Sequence, residues 1–344
     1  MAGQCAADGP GKESMRYCIY GLGAIGGQIA ARLARAGATV SGVARNDALA
    51  AIRERGIGLR ENRGAPIAWQ PIEVAERLTD LPPADCVVVA VKTTALPAIA
   101  EDLAAGLPAH GSIVTAMNGV PWWFFDGFGG RMRDHRLHSV DPDGRLASAF
   151  PARRVIGAAI HLSGFMPAPG EIVRTSGNRI VLGTADPASR AVHVGALRFD
   201  LREAGFDVEV SLDIRRDLWF KLYGNVSLNP ASVLTRMPAD RILGDPLARD
   251  FVARCVTEAN SIGRAIGLGI DQSAEERLES TALLGSFKPS MLQDAEAGRP
   301  IELDALLTSV REIGAALGVP SPNIDALLGL CRLHGEANGL YHSR

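Results

Sequence analysis

The segment that most narrows what this chain can become is Gly21-Leu22-Gly23-Ala24-Ile25-Gly26, three glycines in the spacing G-x-G-x-x-G. Before it, Tyr17–Tyr20 reads as a strand. After it, Ala24–Ala36 reads as a helix with Ile25, Ile29 and Leu33 on one face. A glycine turn between a strand and a helix suits a dinucleotide. The first glycine permits a tight turn, the second lets a pyrophosphate approach the backbone, and the third lets helix and strand pack closely. The unpaired amides and positive dipole end of the helix then hold the phosphates.

The next strand, expected at Thr39–Ala44, reports on the ribose of that cofactor. An NAD site places an acid about 20 residues on, at the end of the second strand. Here the window Ser41-Gly-Val-Ala-Arg45-Asn46 holds no acid and carries a guanidinium at its tip. Arg45 suits a 2′-phosphate through charge-assisted hydrogen bonds, so NADP(H) is the expected cofactor. Asp47 is better explained as an acid in the first turn of the following helix.

Strands and helices keep alternating beyond this point. Strands are expected at Cys86–Val91, Ser112–Ala116, Val155–Ile160, Glu171–Val173 and Arg179–Leu182, and helices at Asn46–Arg55 and Leu96–Leu107. Alternation of this kind argues for right-handed βαβ units and a parallel sheet. After about residue 212 only helical periodicity remains, as in Leu303, Leu306, Val310, Ile313 and Leu317, stopped by Gly318 and Pro320. The expected class is therefore α/β: an N-terminal Rossmann-type parallel-sheet domain over 15–211 and an all-α C-terminal domain over 212–344. Residues 1–14 are small and polar and are expected to be a disordered extension.

Composition excludes several functions. A formal charge of −2 gives no electrostatic case for nucleic acid or an anionic membrane. No apolar run approaches the roughly 18 residues of a spanning helix. The five cysteines are scattered, with no visible disulfide framework, and Cys331-x-x-His334 lacks partners at metal spacing, so no metal is expected. Asp141-Pro-Asp-Gly144 reads as a turn. The N-terminal stretch lacks the apolar core of a secretory signal, and a soluble cytoplasmic protein is the expectation.

The candidates for chemistry are amines and carboxamides. Of 36 basic residues only Lys12, Lys92, Lys221 and Lys288 are lysines. A lysine kept in an arginine background points to a need for a primary amine, which can give up a proton as guanidinium cannot. Asp217–Asn229 reads as one helix ended by Pro230, with Lys221, Asn225 and Asn229 at i, i+4 and i+8 along one stripe. Lys92 and Asn118 follow strands at the carboxyl edge of the sheet, where ligands of open α/β sheets sit.

These residues together resemble the ketopantoate reductase (2-dehydropantoate 2-reductase) family. The resemblance runs from Arg16 to about Leu333. Its motifs are the glycine turn, the Val-Lys92 strand end, Asn118-Gly119, Trp219-Phe-Lys221-Leu-x-x-Asn225-x-x-x-Asn229-Pro230, and Lys288-Pro-Ser-Met-Leu-Gln-Asp294 followed by Gly298-Arg-Pro-Ile-Glu302-Leu-Asp304. It implies NADPH-dependent reduction of a 2-oxo acid in a cleft between the two domains, a step toward pantothenate and coenzyme A. It makes Lys221 the general acid, with Glu302 a carboxylate at the active site. Asn225, Asn229, Ser290 and Asn118 become substrate contacts, and Lys92 and Asn118 contacts to the cofactor. A homodimer is compatible with it. Without the resemblance, Ser290 with Gln293 reads as a capping box, and Glu302 as a first-turn acid complementing a helix dipole.

One stretch departs from the family's commoner form. Trp122-Trp-Phe-Phe125 follows Gly119-Val-Pro, and two readings stand: the aromatics shape the pocket and favour a bulkier 2-oxo acid or ketone, or they form a core cluster or a subunit contact.

Overall fold

The computed structural model describes residues 15–186 and 193–342. The extension expected at 1–14 lies outside the described residues.

The first part alternates as its periodicity dictates. β1 (Arg16–Tyr20), α1 (Ala24–Arg35), β2 (Thr39–Val43) and α2 (Asn46–Arg55) come first, followed by three short strands, β3 (Ile57–Arg60), β4 (Ala68–Gln70) and β5 (Glu73–Ala75). Then come β6 (Cys86–Val89), α3 (Leu96–Gly106), β7 (Ser112–Thr115) and α4 (Arg145–Ala149). The long strands β8 (Val155–Ala168) and β9 (Glu171–Thr184) lead to α5 (Val194–Glu203) and β10 (Asp207–Val210). From there every described element is helical: α6 (Ile214–Asn225), α7 (Leu228–Thr235), α8 (Ala239–Gly244), α9 (Pro246–Ala265), α10 (Ala274–Ala282), α11 (Ser290–Glu296), a π-helical turn (Asp304–Thr308), α12 (Ser309–Leu317) and α13 (Pro322–Ala337).

The strands form one sheet in the order β4-β3-β9-β8-β7-β6-β1-β2-β5, with β10 on β9. The run β5-β2-β1-β6-β7-β8 is parallel throughout and reverses direction of winding between β1 and β6. In open α/β sheets ligands bind outside the carboxyl ends of the strands at such a switch point. The sheet is mixed, because β3 pairs β4 and β8 pairs β9 antiparallel. The three pieces expected at 155–160, 171–173 and 179–182 are one long hairpin. Its distal half is exposed or half-buried except at Leu162, Ile172 and Val173, so apolar alternation could not show its length.

Two apolar cores flank the sheet. One holds α1, α2 and α5 against one face. The other starts on the opposite face with α3 and continues without interruption into the helical region, through α6, α9, α12 and α13. Trp122, Trp123, Phe124 and Phe125 belong to this second core and are at most 2% exposed. Arg215, itself buried at the start of α6, donates from Nε to the carbonyl of Phe124 (2.6 Å) and from Nη2 to that of Asp126 (2.5 Å). The four aromatics therefore join sheet to helices. The core reading holds. Asp141-Pro-Asp-Gly144 is a turn: the Gly144 amide donates to the Asp141 carbonyl, and the Asp141 carboxylate accepts from Leu146 and Ala147 at the start of α4.

The single helix expected at 217–229 is two. α6 stops at Asn225 and α7 begins at Leu228, with Pro230 in its first turn. Proline lacks an amide hydrogen and its ring clashes with the carbonyl four residues back. For Pro230 that carbonyl is Val226, and the chain breaks there; in a first turn the missing hydrogen is no loss.

Candidate active site

The glycine turn has the geometry a bound pyrophosphate needs. Gly21 has φ +101°, a left-handed conformation suited to glycine, and a Cβ there would lie 2.7 Å from Val91 Cγ1. A Cβ on Gly26 would lie 2.0 Å from the Gly21 carbonyl oxygen, so helix and turn touch at that point. At Gly23 a Cβ would meet nothing within 4 Å. That space lies at the N-cap of α1, which has no side-chain cap and no acid in its first turn. An open cradle of free amides beneath a dipole end fits a dinucleotide's phosphates. Leu22 is buried, while Ala24 and Ile25 are half-buried in the first turn. Arg45 is exposed just past the end of β2, as the N-cap of α2.

Lys92 and Asn118 follow β6 and β7, the two strands next to β1 on the other side of the switch point. Their loops meet the helical region. Gly119 has φ +82°, a Cβ there would lie 2.3 Å from the Ala305 carbonyl oxygen, and the Val120 amide donates to that same oxygen at 2.9 Å. The π-helical turn at 304–308 thus docks on the loop that carries Asn118; such turns are frequent at functional sites. A cavity beside it is lined by Thr93, Met117, Asn118, Val120, Pro121 and Leu218, among others.

Lys221, on α6, points into this region. Its Nζ donates to Asn118 Oδ1 at 2.9 Å. Burial pulls its ammonium down to about 8, and the carboxylate of Glu302 works against that fall. Asn225, one turn on, is half-buried. The helix break takes Asn229 off the expected stripe. It is 6% exposed at the start of α7, and its Nδ2 donates to Ser290 Oγ at 3.4 Å. Ser290 is exposed and makes no capping box, because the N-cap of α11 is Pro289 and Gln293 donates to the Lys288 carbonyl instead. The capping box of this region is Ser273 with Glu276, on α10.

Glu302 is not a first-turn acid either. It is 5% exposed, just before the π-helical turn, and its Oε1 accepts from the Thr93 amide (2.8 Å) and hydroxyl (3.0 Å). Its Oε2 lies 3.5 Å from Lys92 Nζ. Lys92 in turn donates to Asp294 Oδ2 at 2.5 Å, and Asp294 Oδ1 accepts from Arg299 Nε at 3.0 Å. Burial works to lower the Lys92 pKa, but the two carboxylates outweigh it and hold it above the ordinary lysine value. Sequence reasoning gave no role to Thr93, Asp294 or Arg299. Asp294 and Arg299 lay within the quoted motifs, but nothing local shows that their partner is Lys92, about 200 residues away.

A dinucleotide cradle at the switch point, with a buried amine, carboxamides and a carboxylate converging nearby, defines the class: a nicotinamide-type oxidoreductase with a helical region completing the site. Family models described as "Ketopantoate reductase PanE/ApbA" and "Ketopantoate reductase PanE/ApbA C terminal" match residues 17–187 and 213–334. A 2-dehydropantoate 2-reductase of Mesorhizobium japonicum is 38% identical over 328 residues, 95% of this chain and 100% of the relative. A crystal structure from Ralstonia solanacearum, assigned as a ketopantoate reductase, superposes with a TM-score of 0.89 at 44% identity, covering 95% of this chain and 99% of that one. The 2-dehydropantoate 2-reductase of Geobacter metallireducens gives 0.80 at 28% identity, covering 93% and 99%. The chain belongs to the ketopantoate reductase family. No helix among the described residues is long and apolar enough to cross a membrane.

Proposed function

We infer that this chain reduces 2-dehydropantoate to pantoate with NADPH, in the cytoplasm, and that Lys221 is its general acid. The observation that carries the reading is the Lys221 ammonium, held at 2.9 Å by Asn118 at the carboxyl edge of the sheet and brought by burial to about 8.

The residues fit the cofactor at three points: the open space at Gly23, the uncapped start of α1 and the exposed Arg45 beyond β2. Gly21–Gly26 would hold the pyrophosphate and Arg45 the 2′-phosphate, with Asn118 and Lys92 near the reactive end. NADPH supplies the hydride that goes to the substrate's carbonyl carbon.

The protein's own part is to manage the charge that grows on the carbonyl oxygen. Lys221 offers a preorganised cation and a proton to that oxygen, and a pKa near the working pH makes it a better donor than ordinary lysine. Glu302, anchored by Thr93, opposes the burial that would otherwise discharge the amine. Asn225, with Asn229 and Ser290 paired beside it, orients the acid, since a carbonyl misplaced by about an ångström loses much of the benefit of proximity.

The test is NADPH oxidation with ketopantoate against a panel of bulkier 2-oxo acids. The reading predicts that ketopantoate has the highest kcat/KM. A bulkier acid in that place would transfer the assignment to it. Trp122–Phe125, buried in the core, directly follow the cavity-lining Val120 and Pro121, so the panel also tests whether they set its size.

A further inference from the structure

Arg277, on α10, reaches over α6. Its guanidinium carbon lies 4.8 Å from the centroid of the Phe220 ring. Its Nη2 fills the space a side chain at 224 would need, for a Cβ on Gly224 would lie 2.0 Å from it. Glycine inside a helix costs about 1 kcal/mol against alanine. At Gly224 that cost makes room for a cation.

The cation has no anion. Among the described residues Arg277 makes no ion pair or side-chain hydrogen bond, and its Nε is buried without a partner. Other arginines drawn into this fold are matched: Arg32 by Glu61 and Asn178, Arg215 by two carbonyls. A half-buried guanidinium whose Nε is cut off from water and unpaired gains when an anion meets it.

Its position says which anion. Gly224 precedes Asn225 directly and follows Lys221 by three residues, so Arg277 overhangs the flank of α6 next to the amine and carboxamide of the site. His161 stands on β8. Burial first, then Lys221 and Arg179, then Arg277 pull its pKa down to about 4, while Glu209 opposes them. Lys221 and Arg277 thus both bear on His161, in the sheet's long hairpin.

We propose that Arg277 is a specificity-determining residue that receives a carboxylate of the acid substrate, its planar fork taking both oxygens while Lys221 faces the carbonyl oxygen. This rests on the reading of the site as one for a 2-oxo acid. Two parallel N–H···O bonds from guanidinium to carboxylate are strong and directional, which an ammonium cannot reproduce.

The experiment compares ketopantoate with its methyl ester in the wild type, Arg277→Met and Arg277→Lys, by steady-state NADPH oxidation. Melting temperature and NADPH binding are measured alongside to show that each variant is folded. In Arg277→Met the KM for the acid rises roughly 10- to 100-fold, the worth of charge-assisted hydrogen bonds, with kcat within a few-fold. The ester, which has no carboxylate, is reduced as by the wild type. Arg277→Lys recovers part of the acid's affinity, and it carries the comparison if the methionine variant does not fold. Equal losses for acid and ester, or an unchanged KM for the acid, overturn the proposal. If the wild type reduces a different 2-oxo acid, the same comparison is made on that acid and its ester. The substrate assignment and the role of Arg277 then fail separately. If no 2-oxo acid is reduced, both fall.

Discussion

Lys221 on α6 and Asn118 beyond β7 are 103 residues apart in sequence, and their side chains meet at 2.9 Å, amine to carboxamide oxygen. This bond places the site's amine at the edge of the sheet that carries the glycine turn. It also gives the ammonium one fixed acceptor in a setting where burial disfavours its charge.

Replacing Lys221 removes both charge and proton. Lys221→Ala is expected to lower kcat by about 10²–10⁴-fold, the usual range for a positioned acid, while NADPH binding followed by fluorescence stays near wild type. Lys221→Arg keeps the charge but is a very poor acid, so it should fail as well. Normal turnover by either variant would show that the proton comes from elsewhere.

The pH profile follows from the direction of the shift. Lys221 must be protonated to act, and burial brings it down to about 8. Turnover should be level below that pH and fall about tenfold per unit above it. Glu302→Gln removes the carboxylate that raises the amine, so the falling limb should move to lower pH. Stability runs the other way. Between about pH 8 and the ordinary lysine value the unfolded chain binds the extra proton, so this group's contribution rises with pH through that window. Chemical denaturation of wild type and Lys221→Met across that range checks the sign.

Arg45 separates the two nicotinamide cofactors. Arg45→Ala should weaken NADPH by about 1–3 kcal/mol, the worth of a hydrogen bond to a charged group, and leave NADH unchanged. Equal affinity of the wild type for NAD and NADP in a fluorescence titration would already refute the assignment.

Gly23 and Gly26 should part company. Gly26→Ala puts a Cβ 2.0 Å from the Gly21 carbonyl oxygen, and overpacking of this kind costs about 1–3 kcal/mol. Gly23→Ala meets no protein atom within 4 Å, so the fold should melt as wild type while cofactor affinity drops. Thermal melts with and without NADPH distinguish the two.

Gly119→Ala tests the dock beneath Asn118. Positive φ and the 2.3 Å approach to the Ala305 oxygen act together, for a loss of about 2–4 kcal/mol. Catalysis should fall with it, because the loop that fixes the acceptor of Lys221 must move. A variant with wild-type stability and turnover would mean that this contact positions nothing.

The sequence alone was enough for the glycine turn, the alternation that builds the parallel sheet and the purely helical second part. Each of these is written in spacing over a few residues: three glycines fix a turn, and a period of 3.6 or 2 fixes an element. What needed the folded chain were pairings with no local signature. Glu302 and Ser290 read as helix-end residues, yet the first is anchored by Thr93 and the second meets Asn229. Trp122–Phe125 allowed both a pocket and a core, and only the packing of sheet on helices chose the core. Lys92 with Asp294, and Arg277 over Gly224, join segments about 200 and 50 residues apart. Periodicity reports which face of an element is buried. Which side chain meets which across a closed interface is decided when distant elements pack and each buried charge and polar group takes the partner within reach.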